Sequence, residues 1–323
     1  MSEKRWSWRS LTAADVPLVY GLICDIEAAD EAPVRTSRNE VYSYFSPSHI
    51  WRAQGAWVGE ELIAFGLARV PLHNDGTAPI TLSGGVSSAW RLLGLGSELM
   101  NRQLGAAQKV AEAAELEDPR VILYVESGED DLRNIAQYLD FAQLTSFVQM
   151  RRELSTVKEL EQPSQYISVL PFSDAWVEPM RKAHNSVLSD LPTWSKMESE
   201  TWRSFLNTLE QDWCFVAIDN FGDRPRLAGY LLASRYEENE ESTPTLEGYV
   251  EEIVVLPEWR GKRISTGMLS TAMNAMIASE MDYIGIDITI PPGVNTEDCD
   301  QIIMFEHFGF NRVAETLILG RSL

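Results

Sequence analysis

Val86-Ser-Ser-Ala-Trp-Arg-Leu-Leu-Gly-Leu-Gly96 and Val255-Leu-Pro-Glu-Trp-Arg-Gly-Lys-Arg-Ile-Ser265 are the two stretches on which the fold turns. Each starts at the valine that ends an apolar run, and each carries a Trp-Arg pair. Trp90-Arg91 and Trp259-Arg260 stand 169 residues apart. The same offset returns at Phe141 and Phe310, each closing a short amphipathic segment. Two anchors that share one offset argue for a duplicated domain. The first copy then runs to Leu154 and the second to Leu323, which predicts domains 1–154 and 166–323 with a polar linker, 155–165, between them.

Working outward from the loops, the two copies read in one order. Trp8–Leu11 and Tyr166–Leu170 suit short opening strands. Thr12 and Ser173 suit N-caps of the helices that follow, because a short side-chain oxygen can accept from the first free N–H groups. Glu61–Val70 and Leu227–Leu232 read as strands of hairpins, the first with its turn at Gly59-Glu60. Ile80–Val86 and Tyr249–Val255 are strands that lead into the loops. A helix follows each loop, with Leu95, Leu99 and Leu104 near one face in the first copy. Ile264, Met268, Ala272 and Met276 do the same in the second, and this Met-rich stripe reads as core. Buried-type strands (Arg120–Val125 and Ile284–Ile290), a last helix and a final strand complete each copy. The fold class is α/β (α+β), with a mixed, mostly antiparallel sheet flanked by helices in each domain.

At 323 residues the chain has room for two domains with separate cores. Its formal charge of −21 opposes binding to nucleic acid or to an anionic membrane. The same charge suits plain solubility or attraction of a cationic amine. The acidic cluster Glu237–Glu241 reads as a solvated loop. No apolar run reaches the roughly 20 residues of a membrane helix, and the first residues lack the apolar stretch of a secretory signal. Cys24, Cys214 and Cys299 are scattered without a CxxC spacing, which predicts a reducing cytoplasm and no metal site.

The loops carry the chemistry. A strand, an Arg-x-x-Gly-x-Gly turn and a helix leave several N–H groups pointing into one concavity at a positive helix end, which suits a pyrophosphate. Gly94 and Gly96 keep this pattern; Arg263 and Ser265 replace both glycines in the second copy. Arg263 either crowds the phosphate site or adds a charge-assisted contact to it. The first loop also admits a plainer reading as an ordinary strand-helix turn.

These residues resemble the GCN5-related N-acetyltransferase (GNAT) superfamily, whose signature is Val-x-Pro-x-x-(Arg/Gln)-x-x-Gly-x-(Gly/Ala). Val86, Arg91, Gly94 and Gly96 match in the first copy, and Val255, Pro257 and Arg260 in the second. Phe305-Glu-His-Phe-Gly-Phe310 matches the superfamily's terminal segment. The resemblance implies two tandem GNAT-like domains, an architecture similar to that of mycothiol synthases. It implies acetyl-CoA as co-substrate, a small-molecule amine as acceptor, and a monomer or homodimer. Pantetheine would pair with backbone at Gly84, Gly85 and Val86, or at Ile253, Val254 and Val255. Pyrophosphate would lie over Arg91, Leu92, Leu93, Gly94, Leu95, Gly96 and Ser97, or over Arg260, Gly261, Lys262, Arg263, Ile264, Ser265 and Thr266.

Amine acetylation needs a proton acceptor, which this superfamily often projects from the strand before the loop. Ile80–Val86 has no ionisable residue, whereas the second strand has Glu251 and Glu252. Gly248–Val255 is similar to the matching strand of glucosamine-6-phosphate acetyltransferases, which carries an acidic pair. Alternation sends the two carboxylates to opposite faces unless a bulge intervenes, so at most one is expected in the cleft. Glu252 is favoured from the motif; the plainer reading makes both of them sheet-edge carboxylates. The position of the family's tyrosine acid holds Phe305 in one copy and Ala136 in the other. Tyr138, Tyr249 and Tyr283 lie nearby in sequence, and the four histidines form no legible catalytic arrangement. The better glycine loop thus sits in the copy without acids. That split leaves a non-catalytic acyl-CoA-binding or regulatory protein as the alternative to an N-acetyltransferase.

Overall fold

The computed structural model describes residues 6–32, 36–74, 76–154, 163, 166–189, 196–237, 245–291 and 293–323. The expected linker, apart from Pro163, lies outside the described residues, as does the acidic cluster beyond Glu237. The first half of the chain runs β1 (Ser7–Ser10), α1 (Val16–Ala29), α2 (Arg38–Tyr44), β2 (His49–Val58), β3 (Glu61–Pro71), β4 (Ile80–Val86), α3 (Leu95–Ala113), β5 (Arg120–Glu126), α4 (Asp130–Tyr138) and β6 (Ala142–Glu153). The second half repeats this order: β7 (Ile167–Pro171), α5 (Val177–Val187), α6 (Ser199–Leu206), β8 (Phe215–Asp219), β9 (Arg226–Glu237), β10 (Leu246–Val255), α7 (Ile264–Ala278), β11 (Tyr283–Ile290), α8 (Asp300–His307) and β12 (Asn311–Ser322). Helices α2 and α6 are additions to the sequence reading; each is short, and an amphipathic period over two turns is hard to tell from a loop.

The chain divides into two compact units, but not at the expected boundary. Unit 1 comprises Met1–Phe147 with Ala314–Leu323, and unit 2 comprises Val148–Val313. In unit 1 the strand order is β1-β2-β3-β4-β5-β12. Thr316–Ser322 of β12 run antiparallel to Glu126–Arg120 of β5. In unit 2 the order is β6-β11-β10-β9-β8-β7. The halves 1–154 and 166–323 have therefore exchanged their last strands. β6 and β12 are copies of one element, so each can close the other's sheet with the same kind of ladder, as in a domain swap.

Within unit 1, α1 and α2 cover one face of the sheet: Val16, Val19, Leu22 and Val41 pack on Trp57, Phe65 and Leu67. On the other face Met100, Ala107 and Val110 of α3 and Ala136 of α4 pack on Leu82, Val121, Leu123 and Val125. Unit 2 repeats this plan. Met180, Trp202 and Leu206 of α5 and α6 meet Tyr230, Leu232 and Val254. Met268 and Met276 of α7 and Phe305 of α8 meet Leu231, Val250 and Ile286. The methionine stripe is core, as its spacing predicts.

Thr12 does begin the first helix. Asp15 closes a capping box there, its Oδ2 accepting from the Thr12 N–H (2.8 Å) and from Thr12 Oγ1 (2.9 Å). A box of this kind contributes about 1 kcal/mol. Asp15→Ala is expected to lower the denaturant midpoint by that amount without altering the far-UV dichroism; an unchanged midpoint would reject the assignment.

Candidate active site

Both loops have one backbone geometry. A single 3-10 turn carries each tryptophan, Ser88–Trp90 and Pro257–Trp259. Each arginine donates from Nε to the carbonyl of the strand's last valine: Arg91 to Val86 at 3.2 Å and Arg260 to Val255 at 3.4 Å. Two residues per loop then take positive φ. Leu92 (+60°) corresponds to Gly261 (+75°), and Gly94 (+84°) to Arg263 (+59°). Gly94 and Arg263 are the N-caps of α3 and α7.

The replacement of both glycines in the second copy therefore leaves the backbone course of the loop unchanged. Each loop has one glycine and one larger residue at its two left-handed positions. Gly96 and Ser265 lie inside the helices, where no positive φ is needed. A Cβ on Gly96 would meet Ile135 Cδ1 at 3.3 Å. Ser265 fits because its counterpart neighbour is Met304, whose flexible sulfur lies 3.9 Å from Ser265 Oγ.

The strands beside the loops part in both units. β4 pairs with β5 in parallel only over Ile80–Leu82 with Val121–Leu123. β10 pairs with β11 only over Glu247–Val250 with Tyr283–Ile286. Past those points the β4 and β10 edges facing the gap have no ladder partner, and these are the segments Gly84–Val86 and Ile253–Val255 expected to meet pantetheine.

The surroundings of the two gaps differ. In unit 1 Arg91 is held bidentately by Asp30 (2.6 and 2.7 Å). Its charge-assisted bond to Arg91 holds the Asp30 carboxyl below its ordinary value near 3.8. Leu92 and Leu93 are exposed at the loop tip, and Ile26 packs where a Cβ on Gly85 would stand (2.7 Å). In unit 2 the equivalent positions hold Gly261 and Lys262, and among the described residues Arg260 forms no ion pair. A cleft of about 320 Å³ opens there between Val255, Arg260, Gly261, Arg263–Thr266 and Met304.

Because the Asp30–Arg91 pair is more than a third exposed, it contributes well under ~1 kcal/mol. Asp30's depressed pKa makes this contribution present above about pH 4 and lost below it. Asp30→Asn is expected to cost that small amount at pH 7, with the difference from wild type fading as the pH falls below 4. A difference that grows in acid would contradict it.

Glu251 and Glu252 are not on opposite faces. The β9–β10 register shifts between Val250 and Glu252, a bulge that leaves Glu251 as the extra residue. Glu251 accepts from Ser234 Oγ, and Glu252 accepts from Tyr230 Oη at 2.7 Å. Ser234 and Tyr230 are four apart on β9 and share a face, so the bulge turns both carboxylates toward α5 and α6. The expectation that at most one of them faces this side is corrected.

Glu252 also contacts a histidine that sequence spacing did not single out. His184 Nδ1 of α5 lies 2.9 Å from Glu252 Oε1 and 3.1 Å from Oε2. Trp202 of α6 stacks on the imidazole at 5.1 Å and anchors its own indole N–H on the Val177 carbonyl (3.0 Å). Burial beside Glu252 pushes the Tyr230 phenol well above its ordinary value, so it donates and does not ionise. Next along the face, Tyr249 bonds Asp287, and burial raises the pKa of both. Phe305 stands where the resemblance expects a tyrosine; it is buried and packs edge-on against Phe310 (5.1 Å). His307 Nδ1 lies 2.9 Å from the Ile303 carbonyl oxygen, within its own helix.

Among the described residues no group of three or more His, Cys, Asp or Glu is arranged to hold a metal ion, and no helix is long and apolar enough to cross a membrane.

Comparison with known proteins gives one family match, over part of the chain, and several structures of the same fold. Residues 180–310 match the Acetyltransferase (GNAT) family. A GCN5-related N-acetyltransferase from Sphaerobacter thermophilus superposes with a TM-score of 0.78 at 15% identity, covering 100% of this chain and 97% of that one. A tandem GNAT protein from the clavulanic acid biosynthesis pathway gives 0.71 at 13% identity, with 98% of each chain covered. The glucosamine N-acetyltransferase region of a fungal multi-domain GH3 β-N-acetylglucosaminidase gives 0.73 at 11% identity, covering 99% of this chain and 38% of that one. No match was found among curated proteins.

Proposed function

We propose that this chain, whose residues 180–310 match the Acetyltransferase (GNAT) family, is a tandem GNAT enzyme that transfers an acetyl group from acetyl-CoA to a small amine in unit 2. The observation that carries the reading is the bulge at Glu251. It puts an enclosed carboxylate, Glu252, on the strand that ends in the open gap and the Arg260–Thr266 loop. Gly261 and Arg263 turn the loop's N–H groups inward, and the N-terminus of α7 adds its partial charge. Ile253, Val254 and Val255 offer free backbone to pantetheine, and Arg260, Lys262 and Arg263 offset the phosphate charge.

The amine nitrogen bonds to the thioester carbon, the carbon-sulfur bond breaks, and the sulfur leaves as thiolate. The amine proton passes to Glu252. His184 and Tyr230 are positioning residues: both donate to the carboxylate, fix its direction and leave lone pairs free for the proton. With Phe305 buried, no protein acid is assigned to the thiolate. Glu251, already bonded to Ser234, lines the same wall. Unit 1, whose loop arginine is neutralised by Asp30, is assigned no chemistry.

The test is release of free thiol from acetyl-CoA with a panel of small amines. Release that depends on the amine supports the reading. Stabilisation by CoA without release for any amine would favour the acyl-CoA-binding alternative.

A further inference from the structure

Unit 1 holds a cation where unit 2 holds carboxylates. Arg69 stands five residues beyond Ala64, which pairs with Val86; Ser234 stands five beyond Gly229, which pairs with Val255. The two positions correspond. In unit 2 Ser234 donates to Glu251. In unit 1 Arg69 NH1 donates to Ser83 Oγ at 3.1 Å, on the α1/α2 face.

Ser83 is the first β4 residue past the end of pairing with β5, and Tyr124 is the first on the β5 side. Arg69 thus sits at the fork of the gap. Its guanidinium stacks on Tyr44 of α2, 4.1 Å from the ring centroid. The Ser83 bond is its one hydrogen bond among the described residues; Glu40, which accepts from Tyr44 Oη, acts on it through space, and no carboxylate among those residues is within ion-pair distance. Arg69 is largely withdrawn from solvent, and burial lowers its pKa. A desolvated guanidinium with so few partners has a fork of donors left for a planar oxyanion. Tyr124 is 42% exposed, so the fork is reachable from solvent.

Two residues further along β5 on the same face, the lining changes sign. Burial raises the Glu126 carboxyl, and the nearby carboxylates of Glu27 and Asp30 raise it further. Glu129 bonds the Glu126 N–H at 2.8 Å. An anion alone would meet repulsion there, and a ligand with a trailing cation would not.

We propose that unit 1 binds a small amino carboxylate in this gap, its carboxylate on Arg69 and Ser83 and its ammonium group toward Glu126 and Glu27. The site does not depend on which unit catalyses. Titration calorimetry of the full chain, with amino carboxylates from glycine to 6-aminohexanoate, tests it, each beside the analogue lacking one of the two groups. At least one amino carboxylate is expected to bind more tightly than both of its analogues. Arg69→Lys keeps the charge but loses the fork, and is expected to weaken binding roughly tenfold, the scale of one charge-assisted pair. Glu126→Gln should remove the advantage over the plain acid, and Glu252→Gln, although it impairs acetyl transfer, should leave the calorimetric affinity of this site in unit 1 as it is. No binding by any member of the series, or unchanged affinity in Arg69→Lys, would overturn the site. So would loss of binding in Glu252→Gln, which would put the ligand in unit 2.

Discussion

Glu252→Gln lowers the rate of acetyl transfer by about 10²- to 10⁴-fold, the range of a lost general base, while CoA affinity stays at the wild-type level. Glutamine keeps the shape of the site: its carbonyl can still accept from Tyr230, and its amide can face His184 once that ring exchanges tautomers. What it cannot do is take a proton. The loss should fall in kcat, because the interaction matters once the amine begins to bond. Glu251→Gln is the internal control; its partner Ser234 keeps it out of the proton's path, and less than about a tenfold change is expected there. Tyr230→Phe and His184→Gln remove donors and not the acceptor. They should cost roughly tenfold each in kcat, well short of the loss in Glu252→Gln. Equal rates for the two glutamine variants would remove Glu252 from the mechanism, and a parallel fall in CoA affinity would recast it as a structural residue.

The duplication was legible because it is written in local chemistry. The Trp-Arg pairs mark where a strand ends and a loop turns, and the arginines do bond the carbonyls of Val86 and Val255. The glycine pattern was a poorer guide. It counted Gly94 and Gly96 against Arg263 and Ser265, while the backbone requires positive φ at 92 and 94, and at 261 and 263. Gly261 went uncounted and Leu92 was not seen as strained, since a left-handed residue has no one-letter signature. The bulge at Glu251 shows the same limit: alternation puts neighbours on opposite faces, and only the register against β9 reveals the inserted residue. His184 lies 68 residues from Glu252 and was invisible to spacing. The exchange of β6 and β12 could not be read at all. The two are copies with one pattern, and the choice of partner lies in chain connectivity.

Gly261→Val is expected to weaken CoA binding by about 100-fold or more, whereas Gly94→Val leaves it unchanged. Both glycines sit at positive φ, +75° and +84°, and neither would bring a Cβ within 4 Å of another group. The insult in each case is therefore backbone strain alone. A β-branched residue there costs roughly 1–3 kcal/mol, or forces the turn out of the left-handed region. In unit 2 that movement withdraws N–H groups from the pyrophosphate, and each charge-assisted bond lost costs a further ~1.5–3 kcal/mol. In unit 1 the same strain lowers stability but touches no cofactor, because Arg91 is already held by Asp30. The pair of variants separates strain from binding: similar losses in melting temperature without ligand, but different shifts when CoA is added. A ligand at 100 times its Kd stabilises by about 2.7 kcal/mol, so the loss of that shift is large enough to read. If Gly94→Val abolishes the shift and Gly261→Val keeps it, the cofactor lies in unit 1, remote in sequence from Glu252, and the proposed division of labour is reversed. If each variant removes half, both gaps bind CoA, and the carboxylate of Asp30 must give way to phosphate in the first.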